Sequence, residues 1–131
     1  MRYLSIYKAV ERNTPPTQEE MAAMGAFMEE MIAKGALLST EGCLPSALGV
    51  RVRRDGGKVT VTDGPFTESK ELVAGFAILE AESKEHVVEL TRQFLAVCGD
   101  GECEVRQIYE APALESGLHP CTDTVAAPQG T

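Results

Sequence analysis

Leu72-Val73-Ala74-Gly75-Phe76-Ala77-Ile78-Leu79 is apolar from end to end. Side chains alternate across a strand, so Leu72, Ala74, Phe76 and Ile78 share one face. Val73, Gly75, Ala77 and Leu79 share the other. A strand wet on one side would alternate polar with apolar. This one is apolar on both, so its sheet needs cover on both faces.

Downstream, Ser83 is placed to cap a helix whose buried stripe is Val87, Leu90, Phe94 and Val97, with Gly99 ending it. Residues 103–110 read as a last strand. Upstream, Lys58-Val59-Thr60-Val61-Thr62 reads as a strand joined through the Asp55-Gly56-Gly57 turn to another over 47–54. A further strand, 36–43, is ended by Gly42 and Pro45.

At the N-terminus, residues 2–8 alternate. Leu4 and Ile6 oppose Tyr3, Ser5 and Tyr7. A polar loop closed by Pro15-Pro16 leads to Thr17 and Glu20, the spacing of a capping box. Met21, Met24, Met28 and Met31 follow at helical spacing beside Phe27 and Ile32, and Lys34-Gly35 supplies the end of the helix. The methionine stripe reads either as an adaptable binding face or as a helix packed on a sheet.

The order β-α-β-(β-hairpin)-β-α-β predicts an α+β domain on the ferredoxin-like βαββαβ plan with an inserted β-hairpin. Its antiparallel sheet carries two helices on one face. They leave the second apolar face bare, and a homodimer packed sheet to sheet would cover it. The domain is expected over residues 1–110. Residues 111–131, rich in Pro, Ala and Thr, read as an extended C-terminal tail.

The net charge of −8 disfavours nucleic acid as a partner. Arg51, Arg53 and Arg54 form the only basic cluster, and their alternation with Val50 and Val52 reads as a solvated strand edge. The first residues lack a signal-peptide core, and no stretch approaches the roughly 20 apolar residues of a membrane span. A cytoplasmic location without a membrane partner is expected. Cys43, Cys98, Cys103 and Cys121 form no C-x-x-C pair, so free thiols are expected, with no metal site and no cofactor.

Val61-Thr62-Asp63-Gly64-Pro65-Phe66-Thr67-Glu68-Ser69-Lys70-Glu71 is the most specific stretch. Pro65 pushes Gly64 toward extended or turn geometry, and Phe66 is then aimed at whatever the turn borders. Asp63 reads as a general base or ligand-binding carboxylate, or as the former of an Asx-turn. Glu68 and Lys70 read as a pair polarising a substrate, or as an ion pair. Glu41 is a third carboxylate, in a plain turn context.

This stretch resembles the D-G-P-F-x-E-x-K-E signature of the YCII-related ("DGPF") family, and the similarity extends from Tyr3 to about Tyr109. The resemblance implies a dimeric α+β barrel of ferredoxin-like subunits. Short relatives carry a His–Asp acid–base pair. Here no histidine precedes His86, which falls on the first turn of a helix, and His119 belongs to the tail.

Two functions stay open. One is binding of a small cyclic or aromatic metabolite near the DGPF turn, with cofactor-independent isomerase- or lyase-like acid–base chemistry. Asp63 would be catalytic, with Tyr3, Tyr7, Phe66, Glu68 and Lys70 binding the ligand. The other is a non-catalytic ligand-sensing or protein-interaction module, which the family resemblance associates with transcriptional regulation.

Overall fold

Arg2–Ala9 (β1) forms an inner strand of a four-stranded antiparallel sheet, flanked by Leu72–Glu80 (β5) and Glu102–Gln107 (β6). Leu37–Gly42 (β2) completes it on the far side of β5, giving the order β2-β5-β1-β6. Gln18–Ala33 (α1) and Lys84–Cys98 (α2) connect the strands. With that order and those crossovers the fold is ferredoxin-like. Val50–Asp55 (β3) and Lys58–Asp63 (β4) form the inserted hairpin as a separate two-stranded sheet. The computed structural model describes residues 1–12 and 14–110, so the expected tail lies outside the described residues. Among them, no helix is long and apolar enough to cross a membrane.

Local signals act as the sequence suggests. The Thr17 hydroxyl accepts the Glu20 amide at 3.1 Å, and Glu20 accepts the Thr17 amide at 2.9 Å, a complete capping box. Ser83 caps α2 through the His86 amide at 3.1 Å. Gly56 and Gly57 take positive φ in the β3–β4 turn.

Three boundaries or faces differ from expectation. The strand expected over 47–54 begins only at Val50, because Ser46–Leu48 close a single 3-10 turn behind Pro45. The last strand stops at Gln107, short of residue 110. Met21, Ile32 and Val97, assigned to packed positions of the helices, are exposed.

The β1–β5 register explains where the core sits. Tyr3 opposes Leu79, Ser5 opposes Ala77, and Tyr7 opposes Gly75. These residues face the helices. At the Tyr3–Leu79 end the side chains are large, and they close a core with Met31, Ala36, Ala81, Val87 and Leu90. Toward Gly75 strand β5 presents almost no side-chain volume, so beside the Tyr7 ring the helices supported at the first end leave a space above it. On the opposite face Leu4 meets Ile78 and Ile6 meets Phe76, all half-exposed in the single chain.

Candidate functional site

The space left above Ser5, Gly75 and Ala77 is a chamber of about 260 Å³. Met24, Phe27, Met28 and Met31 of α1 roof it, with Leu90, Phe94 and Cys98 of α2. Phe94 is the hinge of its aromatic wall. Its ring meets Tyr7 edge-to-face at 5.3 Å and lies 6.3 Å from Phe27.

The polar side chains here are mostly committed to protein partners. Thr40 donates to the Phe76 carbonyl at 2.9 Å, Thr91 to the Val87 carbonyl at 2.7 Å, and Tyr7 to the Asp100 carbonyl at 2.9 Å. The Ser5 side chain lies beside the Cys103 thiol. What faces the cavity is therefore mainly ring, thioether and methylene. Burial, then the neighbouring Cys98 thiol, pushes the Tyr7 phenol well above its ordinary range. Burial likewise raises the Cys98 thiol.

Tyr7, Met24, Met28 and Cys98 also line a wider outer cleft of about 850 Å³, so the cleft opens onto the chamber. Its rim is polar. Arg12 grips Glu20 through two nitrogens at 2.8 and 3.1 Å, tying the loop after β1 to the start of α1. That guanidinium, with the Thr17 amide, holds the Glu20 carboxyl down to about 2. The clasp is thus present above the ordinary carboxylate range and is lost only as pH falls toward 2.

The DGPF segment lies behind this rim. Ser46 donates through its amide and hydroxyl to the two oxygens of Glu11, at 2.6 and 2.7 Å, and Glu11 lines the cleft. The Ser46 hydroxyl accepts the Phe66 amide at 3.3 Å, and the Gly64 amide donates to the Gly49 carbonyl at 3.0 Å. The Gly64–Pro65 peptide is cis. The Phe66 ring lies 3.9 Å beneath the Arg51 guanidinium, which pairs with Glu68. Its own backbone, then Arg51, holds the Glu68 carboxyl below its usual range.

Of the candidate catalytic and ligand-binding residues Tyr3, Tyr7, Asp63, Phe66, Glu68 and Lys70, Tyr7 alone lines both chamber and cleft. Tyr3 is buried in the core and reaches only a groove on the α2–β6 side. Asp63, Phe66, Glu68 and Lys70 line none of these three spaces within one chain. The ion pair at Glu68 is with Arg51 rather than Lys70, which is exposed. Among the described residues the Asp63 carboxylate accepts no hydrogen bond, so Gly49 and Ser46 hold the turn instead of an Asx-turn. Glu41 is exposed on β2, at the edge of the chamber that it helps to line. His86 is exposed, and its Nδ1 accepts the Glu82 amide at 3.0 Å. Cys43, Cys98 and Cys103 are free thiols.

A ferredoxin-like domain with an apolar chamber between helices and sheet, and a D-G-P-F turn buttressing its mouth, defines the class. The chain belongs to the YCII-related domain family, whose family model matches residues 1–112. It is 27% identical over 89 residues to an uncharacterized protein of Rhizobium meliloti (strain 1021), covering 67% of this chain and 72% of that one. Among solved structures it is similar to CutA from Xylella fastidiosa, with a TM-score of 0.39 and 14% identity over 89% of this chain and 93% of that one. That likeness is too distant to bear on ligand or activity.

Proposed function

We propose that the chain binds a small, neutral, cyclic or aromatic metabolite in the chamber, as one subunit of a homodimer closed open sheet face to open sheet face. The observation that carries the reading is the chamber itself. An apolar cavity of roughly 150 Å³ stays dry and takes up benzene. At about 260 Å³, lined by three phenylalanines and three methionines, this one has room for one or two fused rings. The cleft is its entrance.

Binding without turnover fits these groups better than acid–base catalysis. Tyr7 and Cys98 keep their protons at neutral pH and so offer hydrogen-bonding groups, not charges. A general base must trade a proton near the working pH within reach of the reacting atom. Glu68 is neutralised by Arg51, and Asp63 faces solvent at the end of β4. The DGPF turn enters through the Phe66–Ser46–Glu11 relay that sets one edge of the cleft. This favours the ligand-sensing reading over the isomerase- or lyase-like one.

Alkylation of the cysteines tests the site. With naphthalene or indole at ten times its dissociation constant, iodoacetamide modification of Cys98 is expected to slow roughly tenfold. Cys103, which lies in the α2–β6 groove, should react at an unchanged rate. Burial raises both thiols, and the thiolate is the reactive form, so both rates climb as pH rises from neutral toward 9. Peptide mass spectrometry resolves the two sites. Equal slowing at both, or none at Cys98 with ligand bound, would remove the chamber from the account.

A further inference from the structure

The β3–β4 hairpin has an apolar face that nothing in its own chain covers. In its register Val52 opposes Val61, Val50 opposes Asp63, and Arg54 opposes Val59. Val50, Val52, Val59 and Val61 therefore line one side of the ribbon, and they are 51%, 66%, 57% and 62% exposed. Every residue of both strands is exposed. The tethers lie at the base and on the other side, where Gly64 bonds Gly49 and Arg51 holds Glu68 and the Phe66 ring. A lone two-stranded ribbon is marginal in water. Four β-branched side chains on one bare face describe a surface built to be covered.

Charge indicates by what. Residues 50–63 carry four basic and two acidic side chains, net +2, in a chain of net −8, so the remainder carries −10. A basic, valine-faced arm on an acidic body is complementary to a second copy of that body. The open sheet face supplies the matching chemistry. Its centre, Leu4, Ile6, Phe76 and Ile78, is what the facing sheet of the proposed dimer covers, and the arm reaches the margin beside it, where Glu41, opposite Phe76, lies at the β2 edge. Arg54 is the cation on the arm's valine side. That side bears no aromatic ring on which a nucleic-acid base could stack.

We infer that the β3–β4 hairpin is an embracing arm, which lays its valine face on the open-sheet side of a second copy of this chain. The inference rests on the homodimer proposed above, so its test separates the two. Sedimentation velocity across nanomolar to micromolar concentration is run on the full chain, on V52K/V61K and on Phe76→Glu, with circular dichroism as the check on folding. The arm substitutions fall on exposed positions that a monomer would tolerate. The expected result is a wild-type dimer that V52K/V61K weakens roughly 100-fold. Hydrogen exchange on the wild type alone should show amides of residues 50–63 slowing as concentration populates the dimer.

A dimer that Phe76→Glu dissociates and V52K/V61K leaves intact overturns the arm and spares the dimer. Unchanged exchange in the arm across the dimer transition has the same meaning, as does self-association that persists while the arm captures a different protein. A wild-type monomer at every concentration overturns both.

Discussion

Gly64→Ala should unfold the protein or leave it barely folded. A Cβ at position 64 would sit 1.6 Å from the Ser46 carbonyl oxygen and 2.6 Å from its carbon. Those are backbone atoms of the 3-10 turn, not the yielding end of a side chain. Ser46 is held from two sides, by Glu11 and by the Phe66 amide, so it cannot retreat without breaking both. The clash lifts the DGPF turn off the 45–49 loop and frees the base of the hairpin. The cost is roughly 3 kcal/mol or more, about 10 °C or more in Tm. Gly25→Ala is the control of opposite sign. Its Cβ would meet nothing within 4 Å, and alanine is the better helix former, so a gain of roughly 0.5–1 kcal/mol is expected. Thermal denaturation of the two variants beside the wild type reads both effects. A Gly64→Ala protein melting within about 2 °C of wild type would contradict the packing described for the turn.

Met28→Trp should strongly weaken ligand binding in a protein that remains folded. Met28 lies on α1 where chamber and cleft meet, and it is half-buried. An indole there fills volume that the ligand would occupy. Filling a cavity commonly stabilises, by roughly 0.5–2 kcal/mol, so Tm should hold or rise slightly. Affinity for naphthalene or indole should fall by roughly 100-fold, about 2.7 kcal/mol. Calorimetric titration and a thermal melt on the same sample separate occupation of the site from loss of the fold. Undiminished affinity would put the ligand elsewhere.

Much of the fold is legible because its signals are local. Thr17 with Glu20 starts one helix, Ser83 the other, and Gly56-Gly57 turns the hairpin. The two-faced apolar strand forces a two-layer arrangement with an open side. The chamber was harder to see, because both faces of β5 read simply as apolar. The informative quantity was size. Ser5, Gly75 and Ala77 are small and share one face, and the methionine stripe of α1 stands over them.

Glu11 carried no sequence signal, since its role depends on Ser46, 35 positions away. The DGPF motif was legible as a rigid turn but not in its direction. Phe66 turns under Arg51 because the hairpin folds back to place residue 51 there. No spacing argument along the chain contains that contact.

The methionines provide the most direct test of the chamber as a ligand site. The chain has five, at positions 1, 21, 24, 28 and 31. Met24, Met28 and Met31 line the chamber, Met21 lines only the outer cleft, and Met1 lines neither. With the ε-methyl groups labelled with carbon-13, titration with naphthalene is followed by two-dimensional NMR. Ring currents from a bound aromatic should move the Met24, Met28 and Met31 signals in a saturable way, Met21 less, and Met1 not at all. Shifts confined to Met1 and Met21, or five signals that stay in place while calorimetry records binding, would contradict the chamber as the site.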